Sequence, residues 1–191
     1  MAEPSDDELM LALRDGELAA FDALFHRHYE TVRALCVRIT ATPSAGDDLA
    51  QDTFLRVLRH RATFRGDARF TTWLYRIARN LCLEHGARAA RDRRIAERWL
   101  AERDASLTPE PSADVEQLAA AMRRLTPEQR EVLVLCRYHD LPFSEIGEIL
   151  GCSAGAARVR AHRALNALRQ AYNAVTRSGP DESVRSSNVT L

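Results

Sequence analysis

Residues 143–170 read FSEIGEILGCSAGAARVRAHRALNALRQ, and the placing of their glycines, serine and arginines decides what kind of chain this is. Ile146, Ile149 and Leu150 recur at helical spacing, the chain then turns at Gly151-Cys152-Ser153, and Ser153 stands where the N-cap of a second helix belongs. Small Gly147 lets two helices approach closely, and Gly151, four residues later, suits the left-handed backbone of the turn. On the second helix Ala157, Ala161, Ala164, Leu165 and Leu168 form a stripe expected to face inward, while Gly155, Arg158, Val159, His162, Arg163 and Asn166 lie opposite. A recognition helix rests with its N-terminal half in the major groove. Arg158, Val159 and His162 are therefore candidates for base edges, with Arg160 and Arg163 directed to phosphates and Ser153 at the helix start. A helical hairpin with a merely solvated arginine face is the alternative, but turn, cap and basic face agree on a DNA-reading motif.

Outward from this motif the pattern stays helical. Thr126-Pro127-Glu128-Gln129 supplies an N-cap, a proline at the first helical position and a Gln completing a capping box. Upstream, DASLTPEPSAD (residues 104–114) gathers proline, serine and acids with little apolar content, as a linker does. At the N-terminus Ser5 and Glu8 form another capping box, and Leu18, Phe21, Leu24, Phe25, Val32, Leu35, Cys36 and Ile39 follow at three- and four-residue spacing. Pro43, Ser44 and Gly46 read as punctuation before a helix over 47–60. Arg65-Gly66-Asp67 reads as a turn before a helix over 71–94. Strand-type alternation is absent. The expected fold is all-α: two small helical domains, 1–98 and 116–175, joined by a flexible linker over 99–115 and followed by a disordered tail, 176–191.

The stretch FRGDARFTTWLYRIARN (residues 64–80) interleaves Phe64, Phe70, Trp73 and Tyr75 with four arginines. On a helical wheel Leu74, Ile77, Ala78 and Leu81 fill one arc, Thr72, Arg76, Arg79 and Leu83 the opposite one, and Trp73 and Asn80 share a border. Duplex DNA needs only the arginines, whereas aromatic faces beside them suit unpaired bases. Core packing is the competing reading for Phe70 and Trp73.

A net charge of zero conceals an alternation along the chain, which contains no lysine. Residues 1–55 carry four arginines against eleven acids, and 56–98 carry twelve against four. Residues 99–155 carry five against ten, and 156–191 carry six against two. Two basic segments each preceded by an acidic one suggest two polyanion contacts and other surfaces that face something else, with ordinary solvated helix faces as the competing reading. No basic leader precedes an apolar run and no apolar run reaches membrane-spanning length, so a cytoplasmic, nucleoid-associated protein without membrane insertion is expected. The four cysteines, Cys36, Cys82, Cys136 and Cys152, lie far apart and are expected as reduced, packed thiols. Cys82 with His85 and Cys136 with His139 each sit one helical turn apart, but neither pair completes a metal site, so no metal or other cofactor is expected. Neither a nucleophile elbow nor a phosphate loop appears, and no enzyme is expected.

DDLAQDTFLRVLRH (residues 47–60), FRGDARFTTWLYRIARN, a linker, LTPEQREVLVL (residues 125–135) and the helix-turn-helix, in that order, resemble the extracytoplasmic-function (ECF, group IV) RNA polymerase sigma factors, which retain regions two and four of the sigma superfamily. The likeness covers roughly residues 8–97 and 113–170. It implies a region-two bundle and a region-four helix-turn-helix, with core RNA polymerase, promoter DNA both duplex and melted, and an anti-sigma factor as partners. By resemblance Asp48, Gln51 and Asp52 would bind the polymerase clamp helices. Phe64, Thr72, Trp73, Arg76, Arg79 and Asn80 would open and hold the minus-ten element. Ser153, Arg158, Val159, Arg160, His162 and Arg163 would read the minus-thirty-five element. The linker would thread the polymerase channel toward the RNA exit. The chain departs from the family pattern at Ala156-Ala157 and Ala161, where small side chains would let the helix dock either closer or less stably. A helix-turn-helix activator acting on duplex operator DNA would explain residues 126–170 but leave the arginine and aromatic segment without a role.

Overall fold

A computed structural model of the chain describes residues 3–96, 113–138 and 141–177. Among these residues every element is helical: α1 (Asp6–Arg14), α2 (Ala19–Thr40), α3 (Pro43–His60), a 3-10 turn (Arg61–Thr63), α4 (Phe70–Ala96), α5 (Ala113–Arg123), α6 (Pro127–Tyr138), α7 (Phe143–Leu150) and α8 (Ala154–Arg177). The expected linker lies outside the described residues except for 113–115, which open α5. Of the expected tail, only residues 176 and 177 are described, and they close α8.

The first four helices pack as a bundle. α1 starts on the reciprocal Ser5–Glu8 capping box and buries Leu9, Met10 and Leu13 against α2. From α2, Leu24, Val32, Leu35, Cys36 and Ile39 face inward; Phe25 meets Phe54 of α3 edge-on, ring centroids 4.9 Å apart, and stacks on Tyr29 at 4.7 Å. Asp7 of α1 accepts the backbone N–H of Phe70 at 2.6 Å, placing a carboxylate at the N-terminus of α4, where free amides and the helix dipole favour it.

The expected break at Pro43, Ser44 and Gly46 is corrected. The chain reverses at Ala41, whose φ is 59°, and α3 begins at Pro43, four residues before Asp47. Proline at the first helical position has no N–H to leave unpaired. Gly46 lies inside the helix because α2 passes too close for a side chain: a Cβ there would sit 2.8 Å from the backbone of Val37.

The second unit, α5 to α8, closes over Leu135, Ile146, Ile149, Ala157 and Ala164. α6 starts on its own capping box, Thr126 and Gln129 exchanging side-chain-to-backbone bonds of 3.3 and 3.0 Å. It also joins the two units. Arg130 donates to the carbonyls of Ile39 at 3.0 Å, Met122 at 3.1 Å and Leu125 at 3.3 Å. It thus gathers the C-terminal ends of α2 and α5, where carbonyls lack helical partners and the dipole attracts a cation.

Candidate nucleic-acid interface

The turn between α7 and α8 is built as its residue types require. Gly151 adopts φ 66° and ψ 38°, the left-handed cap, and its successor Cys152 donates its N–H to the Gly147 carbonyl at 2.8 Å. A Cβ on Gly147 would stand 2.6 Å from the Cys152 carbonyl oxygen, so only glycine allows this approach of the two helices. Ser153 Oγ accepts the backbone N–H of Ala156 at 3.2 Å and caps α8.

α8 buries Ala157 and Ala164 and exposes Arg158, Val159, Arg160, His162 and Arg163, with Val159 50% exposed. These candidates spread around the exposed arc of the helix, with Arg158 and His162 at its edge beside the groove and Arg160 at the other edge. The Arg158 guanidinium lies 5.3 Å from the centre of the Phe143 ring, and the Asn166 side-chain amide is 3.2 Å from His162 Nε2. One expectation for this helix is corrected: Leu165 was placed on the inward stripe and is 48% exposed. Small Ala157 and Ala164 bring α8 so close to its neighbours that the contact strip is narrower than a wheel suggests. Leu165, with Arg158 and His162, instead borders an apolar groove of about 960 Å³ whose other walls include Val37, Leu118 and Leu133.

α4 presents a different surface. Arg76 and Asn80 are exposed and Trp73 is half-buried, its indole held edge-on by Phe64 at 5.5 Å and tilted against Phe70 at 6.4 Å. Of the two readings of these aromatics, core packing holds for Phe70; Phe64, at 3% exposure, and Tyr75 are core residues as well, and Trp73 alone of the four keeps open surface. Burial also pushes the Tyr75 phenol up to about 12. The polar arc is partly covered. Thr72 is buried and its Oγ1 donates to Glu145 of α7 at 3.0 Å, Arg69 reaches the same carboxylate at 3.4 Å, and Arg79 is paired with Glu131 of α6. Glu131 is 2% exposed, and its carboxyl is raised above the usual range by burial, with Arg79 acting in the opposite direction. Local spacing held no signal for these two glutamates, because their partners lie 52 and 73 residues away.

A third surface belongs to α3. Asp48, Gln51 and Asp52 are exposed one turn apart, and Leu55, 46% exposed, continues their row while Leu49, Ala50, Thr53 and Phe54 are buried beneath. Leu55 was missed in the sequence because an isolated leucine in an amphipathic helix is ordinarily counted as core.

Among the described residues no group of three or more His, Cys, Asp or Glu side chains converges as metal ligands would. Cys82 is buried and hydrogen-bonded to the Cys36 thiol, and that bond, ahead of burial, pushes its pKa up and keeps it a protonated thiol. His139 lies outside the described residues. No helix among them is long and apolar enough to cross a membrane.

Comparison with known proteins agrees with this geometry. The family description Sigma-70 region 2 matches residues 24–92 and Sigma-70, region 4 matches residues 115–168. The chain is 36% identical to RNA polymerase sigma factor CarQ of Myxococcus xanthus, over 84% of this chain and 94% of that one. It is 33% identical to ECF RNA polymerase sigma factor SigM of Mycobacterium tuberculosis, over 85% and 82%. Among solved structures, CnrH in complex with the cytosolic domain of CnrY superposes with a TM-score of 0.67 at 26% identity, covering 88% of this chain and 97% of that one. The sigma factor RpoE bound to the anti-sigma factor NepR from Bartonella quintana, at a TM-score of 0.68 and 22% identity over 80% and 96%, shares the fold.

Proposed function

Because the chain belongs to the ECF group of sigma-70 RNA polymerase sigma factors, we propose that its three exposed surfaces divide the work of an alternative sigma factor between polymerase and promoter. The protein directs core RNA polymerase to promoters for transcription initiation. The carrying observation is an exposed acidic row on α3 set apart from exposed arginine faces on α4 and α8.

In this reading residues 1–98 form region two and 116–175 region four, joined by the linker and followed by the tail. Asp48, Gln51 and Asp52, with Leu55 as an apolar centre, engage the polymerase clamp helices. Trp73, Arg76 and Asn80, joined by Thr72 and Arg79 when these are uncovered, hold the opened minus-ten strand. The role left to Phe64 is to support the Trp73 indole. Ser153, Arg158, Val159, Arg160, His162 and Arg163 dock in the minus-thirty-five major groove. Opening needs no covalent chemistry: unpairing costs a few kcal/mol per base, and stacking and pocket contacts of about 1–3 kcal/mol per base offset it. We therefore assign no catalytic residue and no cofactor, and place the protein in the cytoplasm on the nucleoid with its polymerase. Control by an anti-sigma factor is supported by the RpoE neighbour, which is bound to the anti-sigma factor NepR. The groove beside Leu165, lined by five arginines and no acid, suits an acidic amphipathic helix of such a partner.

The test is run-off transcription with core polymerase and the full chain on genomic DNA fragments, followed by mapping of the start sites. Specific starts that share spaced minus-ten and minus-thirty-five elements support the reading. Specific binding to duplex DNA with no transcription by core polymerase would make the chain a helix-turn-helix activator instead.

A further inference from the structure

We propose that Phe143 is a positioning residue for promoter reading: its ring, at the start of α7, holds the Arg158 guanidinium in place for a base edge while leaving its N–H donors available. The inference rests on the assignment of α8 to the minus-thirty-five groove.

Arg158 stands at the edge of the exposed arc of α8, about 100° round the helix from Val159. A side chain placed there reaches a base in only some of its rotamers. A freely moving arginine loses that freedom when it binds, and the loss weakens the contact, whereas an arginine ordered beforehand loses less. An acid would order it badly. A carboxylate takes up the N–H groups that the base needs and cancels the charge that attracts DNA. Among the described residues none of the ion pairs engages Arg158, and no acid lines the groove beside it. Glu145, two residues after Phe143, is turned to Thr72 and Arg69 instead.

What does meet Arg158 is an aromatic face. Its Cζ lies 5.3 Å from the centre of the Phe143 ring, within the range of about 6 Å over which a ring attracts a cation. Such a ring draws the charge yet carries no lone pair, so the donors of the guanidinium remain for DNA. The ring is itself fixed. Pro142 precedes it in an extended conformation, φ −65° and ψ 151°, with φ set by the proline ring, and the Pro142 carbonyl accepts the Ile146 N–H at 3.1 Å. Phe143 is half-buried against the core. The two helices that carry ring and guanidinium are joined at their closest by the 2.8 Å bond from Cys152 to the Gly147 carbonyl. Phe143 thus acts on the base through Arg158.

The test uses the full chain bound to core polymerase and a set of duplex promoters, mapped by run-off transcription, in which each base pair of the minus-thirty-five element is replaced in turn. Phe143→Leu keeps an apolar side chain and removes the ring. It should cut discrimination by about two- to fivefold, and only at the position where Arg158→Ala cuts it. Phe143→Met, also without a ring, should do the same, and Phe143→Tyr, which keeps one, should discriminate as the parent chain does. In the Arg158→Ala background Phe143→Leu should change nothing further. Urea midpoints followed by circular dichroism check the fold of each variant. A loss spread evenly over all positions, a loss that multiplies with that of Arg158→Ala, or an equal loss in Phe143→Tyr makes Phe143 a packing residue and overturns the proposal. Unchanged discrimination in both ringless variants overturns it as well, and so does a gain, which would mean that the ring draws Arg158 away from DNA. The two assignments fail separately: a position-specific loss for Arg158→Ala with none for Phe143→Leu leaves α8 in the groove and removes Phe143, whereas an even loss for Arg158→Ala removes the base reading itself.

Discussion

Replacing Gly147 by alanine should destabilise the second unit although alanine is the better helix former. In an unencumbered helix the exchange gains about 1 kcal/mol. Here the new Cβ would meet the Cys152 carbonyl oxygen at 2.6 Å, the Ser153 carbonyl carbon at 3.1 Å and the Ala154 nitrogen at 3.1 Å, all backbone atoms that cannot rotate away. Reaching ordinary contact requires α7 and the turn to part by more than about half an ångström, and overpacking of this kind costs about 1–3 kcal/mol in a close-packed interior. Set against the gain in propensity, the clash leaves a net loss of up to about 2 kcal/mol. Gly86→Ala is the internal control: it lies in α4 with nothing within 4 Å of its Cβ position and should gain about 0.5–1 kcal/mol. Urea melts of the full chain followed by circular dichroism measure both midpoints, and fluorescence anisotropy on a duplex minus-thirty-five fragment measures docking, which should fall for Gly147→Ala because α8 is re-aimed. If Gly147→Ala stabilises as Gly86→Ala does, the reasoning from close approach is wrong.

Asp48→Arg with Gln51→Ala should weaken competition for core polymerase against a reference sigma factor while leaving the circular dichroism spectrum unchanged, since both side chains are exposed; undiminished competition would remove α3 from the polymerase interface. Arg158→Ala should cost about 1–3 kcal/mol and relax preference at one promoter position, whereas Arg163→Ala should lower affinity evenly across sequences and reduce the salt slope by about one unit. Equal losses on every sequence for both variants would mean that α8 is misplaced in the groove. Trp73→Ala with Asn80→Ala should leave the closed promoter complex formed but suppress permanganate-reactive thymines at the minus-ten element, and a pre-opened bubble template should restore part of the transcription. Normal thymine reactivity in the folded double variant would assign Trp73 to packing.

The helix-turn-helix was legible residue by residue because its requirements are local: a close approach at Gly147, a left-handed cap at Gly151 and an N-cap at Ser153 are each met within a few residues of chain. The capping boxes at Ser5 and Thr126 are legible for the same reason. Harder to read was anything decided across the fold. Pro43 and Gly46 look like a break in isolation, and only the passage of Val37 against α3 turns Gly46 into a packing residue. The interleaved aromatics announced stacking surfaces, yet Phe64, Phe70 and Tyr75 serve the bundle, since periodicity gives the direction of a side chain but not what awaits it there. Nothing near Glu131 in the chain signals its burial, since its partner Arg79 stands 52 residues away on α4.

The outer part of α4 bears on reach. Beyond the Arg56–Glu84 ion pair, residues 85–88, 90 and 91 are all exposed, so over His85–Arg91 the helix packs little of its surface on the bundle. Isolated helices of fewer than about 12–15 residues are marginal in water, and Gly86 near the start of this stretch lowers the resistance by about 1 kcal/mol more. A helical residue advances the chain by about 1.5 Å and an extended one by at most about 3.3–3.6 Å. Unwinding about a dozen residues therefore lengthens the span available between the two DNA-reading units by up to about 20–25 Å. Gly86→Ala, by stiffening this stretch, should therefore narrow the range of spacings between the two promoter elements that supports transcription, measured on templates of graded spacing.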